Sequence, residues 1–265
     1  MRPGLFLLLH LFMVVLSCAP FASAQEPLDR SQILDEASRF FQEASQNSDQ
    51  VQSADLYRKA LVRFEKLVQD GLVNGKLYYN LGNTYFRLHD LGRAIVNYRR
   101  ALAYLPNDDN LRQNLRFAES QQLDRIEPKQ ETMIVETLLF WHYDFSARFR
   151  LIVLVLANAG FWGLLTVAVY RKKALWLPTA GALALTVLIS GSLIYDRYWP
   201  TITGVIVATE AVARKGDGSA YSVSFNEPLH AGLVFSLVEK RGEWLYIELG
   251  DSRRCWVSAD SVEMI

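Results

Sequence analysis

Two uncharged apolar runs restrict this chain more than any other feature. Residues 151–170, LIVLVLANAGFWGLLTVAVY, are twenty residues without a charge, and residues 174–195, ALWLPTAGALALTVLISGSLIY, are twenty-two more. At about 1.5 Å of rise per residue, each is long enough as a helix to span a hydrocarbon core of roughly 30 Å. A helix that is apolar all round has no face to offer water, so the expectation is a membrane protein carrying soluble parts. Outside these runs the composition is that of an ordered protein, with 51% apolar residues, 21% charged residues and 28 basic against 28 acidic side chains. That balance excludes a disordered tail protein, and it lacks the basic excess typical of nucleic-acid binders, so no nucleic-acid partner is expected. Cys18 and Cys255 are the only cysteines. Two thiols in such different contexts build neither a disulfide framework nor a thiolate zinc site within one chain.

Residues 1–24 begin with Met1-Arg2, continue through an apolar stretch from Leu5 to Leu16 and close on Ala22-Ser23-Ala24. This is the pattern of a signal peptide, cleaved before Gln25. Val15-Leu16-Ser17-Cys18 loosely resembles a lipoprotein box, which leaves lipid attachment at Cys18 as the alternative. The basic residues alone do not orient the spans, because Arg148, Arg150 and Arg197 flank their outer ends as Arg171-Lys172-Lys173 flank the inner. An exported N-terminus does orient them. The first span, 151–170, then runs inward, residues 171–173 form a cytoplasmic turn, and the second span, 174–195, runs outward. A linker and juxtamembrane segment at 126–150 and a C-terminal domain at 201–265 complete this division, with both soluble domains on one side.

From Ser31 to Gln122 apolar residues recur at helical spacing among Ala, Leu, Glu, Gln and Arg. Four or five short helices are expected over 25–125, broken at Gly71 to Gly75, at His89 to Gly92 and at Pro106-Asn107-Asp108. Between Gly75 and Asp108, Tyr78, Leu81, Gly82, Tyr85, Ala94, Tyr98, Ala101 and Pro106 stand where the 34-residue tetratricopeptide repeat (TPR) has its signature positions. The spacing has a physical basis: Gly82 and Ala94 let paired helices approach closely, Leu81, Tyr85 and Tyr98 fill the seam, and Pro106 stops the second helix. One repeat cannot bury its own face, so neighbours are required. Ala60, Phe64 and Leu67 lie 34 residues before Ala94, Tyr98 and Ala101. They predict an upstream second helix, with Ile33 to Ala44 as its partner and a polar insertion at Ser45 to Ser53. Asn114 and Leu115 repeat Asn80 and Leu81 in a capping helix.

The last 65 residues change period to short β-branched and aromatic segments: Thr203 to Val212, Gly232 to Glu239, Trp244 to Leu249 and Cys255 to Val257. A small antiparallel barrel is expected, centred on Trp244, Tyr246, Ile247, Trp256 and Val257. The fold class is therefore a multidomain membrane protein: an all-α TPR domain, a two-helix transmembrane hairpin and a small all-β barrel.

This order, with Asn80 to Asn83 and ALAYLPND followed by Asn110-Leu111 and Asn114-Leu115, resembles the BatE family of the Bacteroides aerotolerance (Bat) operon. The C-terminal region is similar to bacterial SH3 (SH3b) domains through Val212, Arg214, Gly216, Gly232, Gly242 to Trp244 and Trp256-Val257, departing where Cys255 replaces a glycine. The resemblance implies a bacterial inner-membrane protein with both soluble domains in the periplasm. It also implies partners bearing von Willebrand A domains and a MoxR-type ATPase, in membrane-associated assembly or stress tolerance. Peptidoglycan is the alternative partner, through the SH3b domain.

On the first helix of the repeat, Lys76, Tyr79, Asn80, Asn83, Phe86 and Arg87 fall on the face that such repeats present to a peptide or chain terminus. Their amides and cations suit an extended backbone or a carboxylate. Asn80 and Asn114 can equally serve to order the stack. Trp244 and Trp256 are core or groove residues of the barrel. No HExxH, GxSxG, P-loop or dinucleotide fingerprint occurs, and His89, His142 and His230 are far apart. No catalytic residue, metal site or cofactor is expected, and the chain reads as non-enzymatic.

Overall fold

The computed structural model describes residues 28–126, 137–171, 175–198 and 202–265. The expected export signal with Cys18, Lys172 and Lys173 of the basic turn, and the middle of the expected linker lie outside the described residues.

Five helices form the N-terminal unit: α1 (Leu28–Gln46), α2 (Gln50–Gln69), α3 (Gly75–Arg87), α4 (Leu91–Tyr104) and α5 (Asp109–Ser120). Each of the last four starts at an Asp or Asn whose side chain accepts from backbone N–H groups of the first turn. Asp49 holds Val51 and Gln52, Asn74 holds Leu77, Asp90 holds Arg93 and Asp108 holds Leu111. These caps satisfy donors the helix itself cannot. At the other ends the chain turns through left-handed backbone at Gly71 and His89, with φ of 83° and 61°. The expected polar insertion at Ser45 to Ser53 is mostly helical. Only Asn47, Ser48 and Asp49 interrupt α1 and α2, because Asp49 restarts the helix at once.

Neighbouring helices pair in sequence order and bury one continuous core. Ala60, Phe64 and Leu67 of α2, Ala94, Tyr98 and Ala101 of α4, and Leu111 and Ala118 of α5 are almost wholly removed from water. Gly82 shows why the seam demands a small residue. A Cβ there would lie 2.5 Å from the Tyr98 ring. Tyr78 is only partly buried and stacks on Tyr104 at 6.1 Å.

After a short turn of helix, α6 (Phe140–Tyr143), come two long apolar helices, α7 (Ala147–Arg171) and α8 (Trp176–Tyr198). Both are long and apolar enough to cross a membrane. Only 6% and 11% of their most apolar windows are buried, so the rest of the described chain does not cover them. They pair antiparallel: Arg150 meets Ser192 and Asp196 at one end, and Ala168 shares a hollow with Trp176 at the other. Arg150 is buried. Its Nη1 donates to Ser192 Oγ (2.6 Å) and lies 3.0 Å from His142 Nδ1, while Nη2 donates to Asp196 Oδ2 (2.5 Å). A guanidinium buried at a helix end needs this many acceptors to offset its lost hydration.

The C-terminal unit is an antiparallel β structure. Strands β1 (Thr203–Ile206), β4 (Val234–Arg241), β5 (Trp244–Leu249), β6 (Arg254–Ser258) and β7 (Val262–Met264) form a sheet in the order β6-β5-β4-β1-β7. The short strands β2 (Glu210–Ala211) and β3 (Leu229–His230) pair separately. Gly242, at φ 55°, opens the tight turn between β4 and β5. The expected centre is corrected by strand alternation. Leu245, Ile247 and Leu249 point into the core with Cys255 and Val257, which places Trp244 and Tyr246 on the opposite face of β5. Trp256 is buried too, but on that outer face, stacked on Tyr246 at 5.0 Å beneath the Arg241 guanidinium.

The helical and β units are docked. Val205 of β1 belongs to the helical core. Arg100 Nη1 donates to Glu263 (2.8 Å), Gln122 Nε2 donates to the Gly232 carbonyl (2.5 Å), and Asp124 accepts the His230 N–H (2.6 Å) and faces its ring. The β unit thus covers α4, a second helix of the stack, and leaves the face built by the first helices open.

Candidate functional site

The open face carries a hollow of about 370 Å³ where α1, α3 and α5 come together. Its polar side is Asn83, Arg87 and Asn114. Its apolar side is Phe41, Phe86 and Phe117, with Tyr98 at the base. Spacing explains the arrangement, since Phe86 and Arg87 stand three and four residues after Asn83 along α3, and Phe117 stands three after Asn114 on α5.

A hydrogen-bond network fixes the polar side. Asn83 Oδ1 accepts from the Tyr98 hydroxyl (2.9 Å) and from Asn114 Nδ2 (3.0 Å). The second hydrogen on Asn114 Nδ2 goes to the Tyr79 hydroxyl (2.9 Å). Burial raises the Tyr98 phenol far above its ordinary value, so it stays a neutral donor at physiological pH. With its oxygen held by two donors, Asn83 keeps an amide nitrogen that has no hydrogen-bond partner among the described residues. Arg87 is exposed and makes no ion pair among the described residues. An aromatic-lined hollow with a pinned amide and an unpaired cation at its rim suits a peptide segment bearing an acceptor and an apolar side chain.

The six residues expected on this face divide into three groups. Asn83, Phe86 and Arg87 line the hollow together. Lys76 and Asn80 line a second hollow, of about 520 Å³, beside Leu34, Asp35 and Asn74. Tyr79 lies behind, as part of the network that orients Asn83. Asn114 bonds to Tyr79 and Asn83 rather than to a loop, so it orders the stack and shapes the site at once. Sequence reasoning passed over Phe41 and Phe117. The 34-residue offset that matched Asn114 to Asn80 could have led to Phe117, one turn further on, whereas Phe41 lies in a degenerate repeat with no comparable signal.

On the β unit, Trp256, Tyr246 and Arg241 make a stacked shelf rather than a cleft, with the Arg241 guanidinium 5.1 Å from the Trp256 ring. Cys255 points the other way, into the core, and burial pushes its thiol up to about 12, which leaves almost no thiolate at neutral pH.

The tetratricopeptide repeat family model matches residues 75–108, which span α3 and α4. No curated protein matches the chain. Residues 75–108 are therefore a tetratricopeptide repeat, a module associated with binding protein partners.

Proposed function

We propose that the chain is a non-enzymatic membrane scaffold whose repeat unit captures a protein partner in the hollow between α1, α3 and α5. The observation that carries this reading is the pairing of a pinned amide, Asn83, with the unpaired Arg87 beside exposed Phe117. Docking of the β unit on α4 supports it, because the contacts between the units leave that face free.

Substitution of both Asn83 and Arg87 by alanine should strip co-purifying partners from the detergent-solubilised protein. Loss of a charge-assisted contact at an interface hot spot costs about 2 kcal/mol, against about 0.5 kcal/mol for a solvated arginine in folding. Because Asn83 also braces Tyr98 and Asn114, the single variant Arg87→Ala separates binding from folding. Its melting curve should match the unaltered protein while partners are lost. Partner retention at the unaltered level in both variants would move recognition off this face.

The two long apolar helices are read as a hairpin in the bacterial inner membrane, with the repeat unit and the β unit both in the periplasm. Tags near Asp109 and Asp217 should then react with an impermeant thiol reagent in spheroplasts, and a tag at Lys172 should not. Labelling of Lys172 alone would overturn this orientation. The resemblance to the Bat family makes membrane proteins with von Willebrand A domains and a MoxR-type ATPase system the partners to look for, in aerotolerance or envelope stress. A second reading, an SH3b-like anchor on peptidoglycan, draws on the Tyr246–Trp256–Arg241 shelf. Sedimentation of the purified protein with cell-wall sacculi would favour it.

A further inference from the structure

Where the helical unit meets the start of α7 there is a cavity of about 960 Å³, separate from the peptide hollow. Four arginines line it: Arg99 of α4, Arg112 and Arg116 of α5, and Arg150 in the first turn of α7. Asp144 is the acidic side chain in the same lining. Arg99 is committed to Glu119 and Arg150 to Asp196, but Arg112 and Arg116, one helical turn apart, have no ion pair among the described residues.

The floor of the cavity is incompletely paired. Among the described residues, the buried side-chain nitrogens with no hydrogen-bond partner are Arg99 Nε and Arg150 Nε, and both arginines belong to this cavity. Arg150 is 5% exposed, and all its other nitrogens are engaged by Ser192, His142 and Asp196. Neither Nε is open to a water-sized probe, so the donors that a ligand in the cavity reaches first are those of Arg112 and Arg116. The guanidinium fork matches the paired oxygens of a phosphate or a carboxylate, and a tetrahedral phosphate can take donors from several arginines at once.

Position selects the source of that phosphate. The cavity lies at the end of the hairpin where α7 begins and α8 ends, beside Tyr143 and Phe145, which is the level of lipid headgroups if the hairpin spans a bilayer. Its volume is far more than one inorganic phosphate fills. We propose that this cavity binds the phosphodiester headgroup of an anionic phospholipid, with Arg112 and Arg116 gripping the phosphate and Arg99 and Arg150 lining the floor. The proposal rests on the membrane reading given above. A headgroup held there ties the repeat unit to the membrane surface and fixes the direction in which its peptide hollow faces.

The test uses the full chain in an uncharged detergent, with native mass spectrometry of added phosphatidylglycerol, phosphatidylcholine or inorganic phosphate. Phosphatidylglycerol should be retained in preference to the other two. Substituting both Arg112 and Arg116 by glutamine should weaken that retention about tenfold, with no change in melting temperature, since neither side chain is paired. Substituting both by lysine, which keeps the charge, should restore part of it. Equal retention of phosphatidylcholine, or unchanged retention by the glutamine variant, overturns the site. Inorganic phosphate binding as tightly as phosphatidylglycerol overturns the lipid source. Release of the unaltered protein from membranes by alkaline carbonate would instead sink the membrane reading, so the two failures are told apart.

Discussion

Replacing Gly82 with leucine is expected to destabilise the repeat unit by about 1 to 3 kcal/mol. The cause is local and steric. Gly82 sits on α3 against α4, and its missing side chain is the space that the Tyr98 ring occupies, 2.5 Å from where a Cβ would be. Tyr98 cannot step aside, because it is 2% exposed and its hydroxyl is bonded to Asn83. Leucine gains roughly 1 kcal/mol of helix propensity over glycine, which offsets only part of the overpacking. For a unit of this size each kcal/mol is about 4 to 8 °C of melting temperature, so the shift is easily read by circular dichroism. The same substitution should weaken partner binding as well, since moving Tyr98 releases Asn83. An unchanged melting temperature would mean that α3 and α4 do not pack through this seam.

Gly92→Leu should have an effect of a different kind, separating the two soluble units while leaving each folded. A Cβ at Gly92 would lie 2.7 Å from the Val207 Cα and 2.8 Å from the Ile206 carbonyl oxygen, backbone atoms at the end of β1 and just beyond it. Hydrogen bonding of β1 on both sides, to β4 and β7, keeps it from moving away without breaking the sheet. The easier response is for the whole β unit to lift off α4, taking Glu263 from Arg100 and Gly232 from Gln122. The β core of Ile206, Phe235, Leu245 and Ile247 remains intact in that state. Hydrogen exchange should therefore speed up at least tenfold, or 1.4 kcal/mol, in peptides covering α4 and β1, with little change across Leu245–Leu249. Uniform acceleration throughout would show instead that docking and β folding are one event.

The same glycine illustrates the limits of reading the sequence. In the pattern of residues, Gly92 marks a helix break; in the fold it is the second residue of α4 and a landing platform for another unit. Repeat positions such as Leu81, Gly82, Ala94 and Tyr98 were legible because they depend on neighbours fixed distances away along the chain. Docking was not, since Arg100 and Glu263 are 163 residues apart and neither is unusual alone. The β centre was misjudged for a related reason: side-chain bulk drew attention to Trp244, whereas alternation along β5 decides which residues face inward. Within the hollow between α1, α3 and α5, Asn83, Phe86 and Arg87 followed from helical spacing. Phe41 and the role of Tyr98 as the base required the neighbouring helices to be in place. The grouping of Arg99, Arg112, Arg116 and Arg150 likewise appears only when α4, α5 and α7 converge.

The central claim is that the first-helix face of the repeat stack is where a partner binds. A photo-crosslinking residue placed at Phe117, 57% exposed at the edge of the hollow, tests this in intact cells, with Val62 on α2, 63% exposed, as the control. Adducts to a discrete partner from Phe117, their loss on adding Arg87→Ala, and none from Val62 is the result predicted. Adducts from Val62 with none from Phe117 would contradict the account and place recognition on the outer face of the stack.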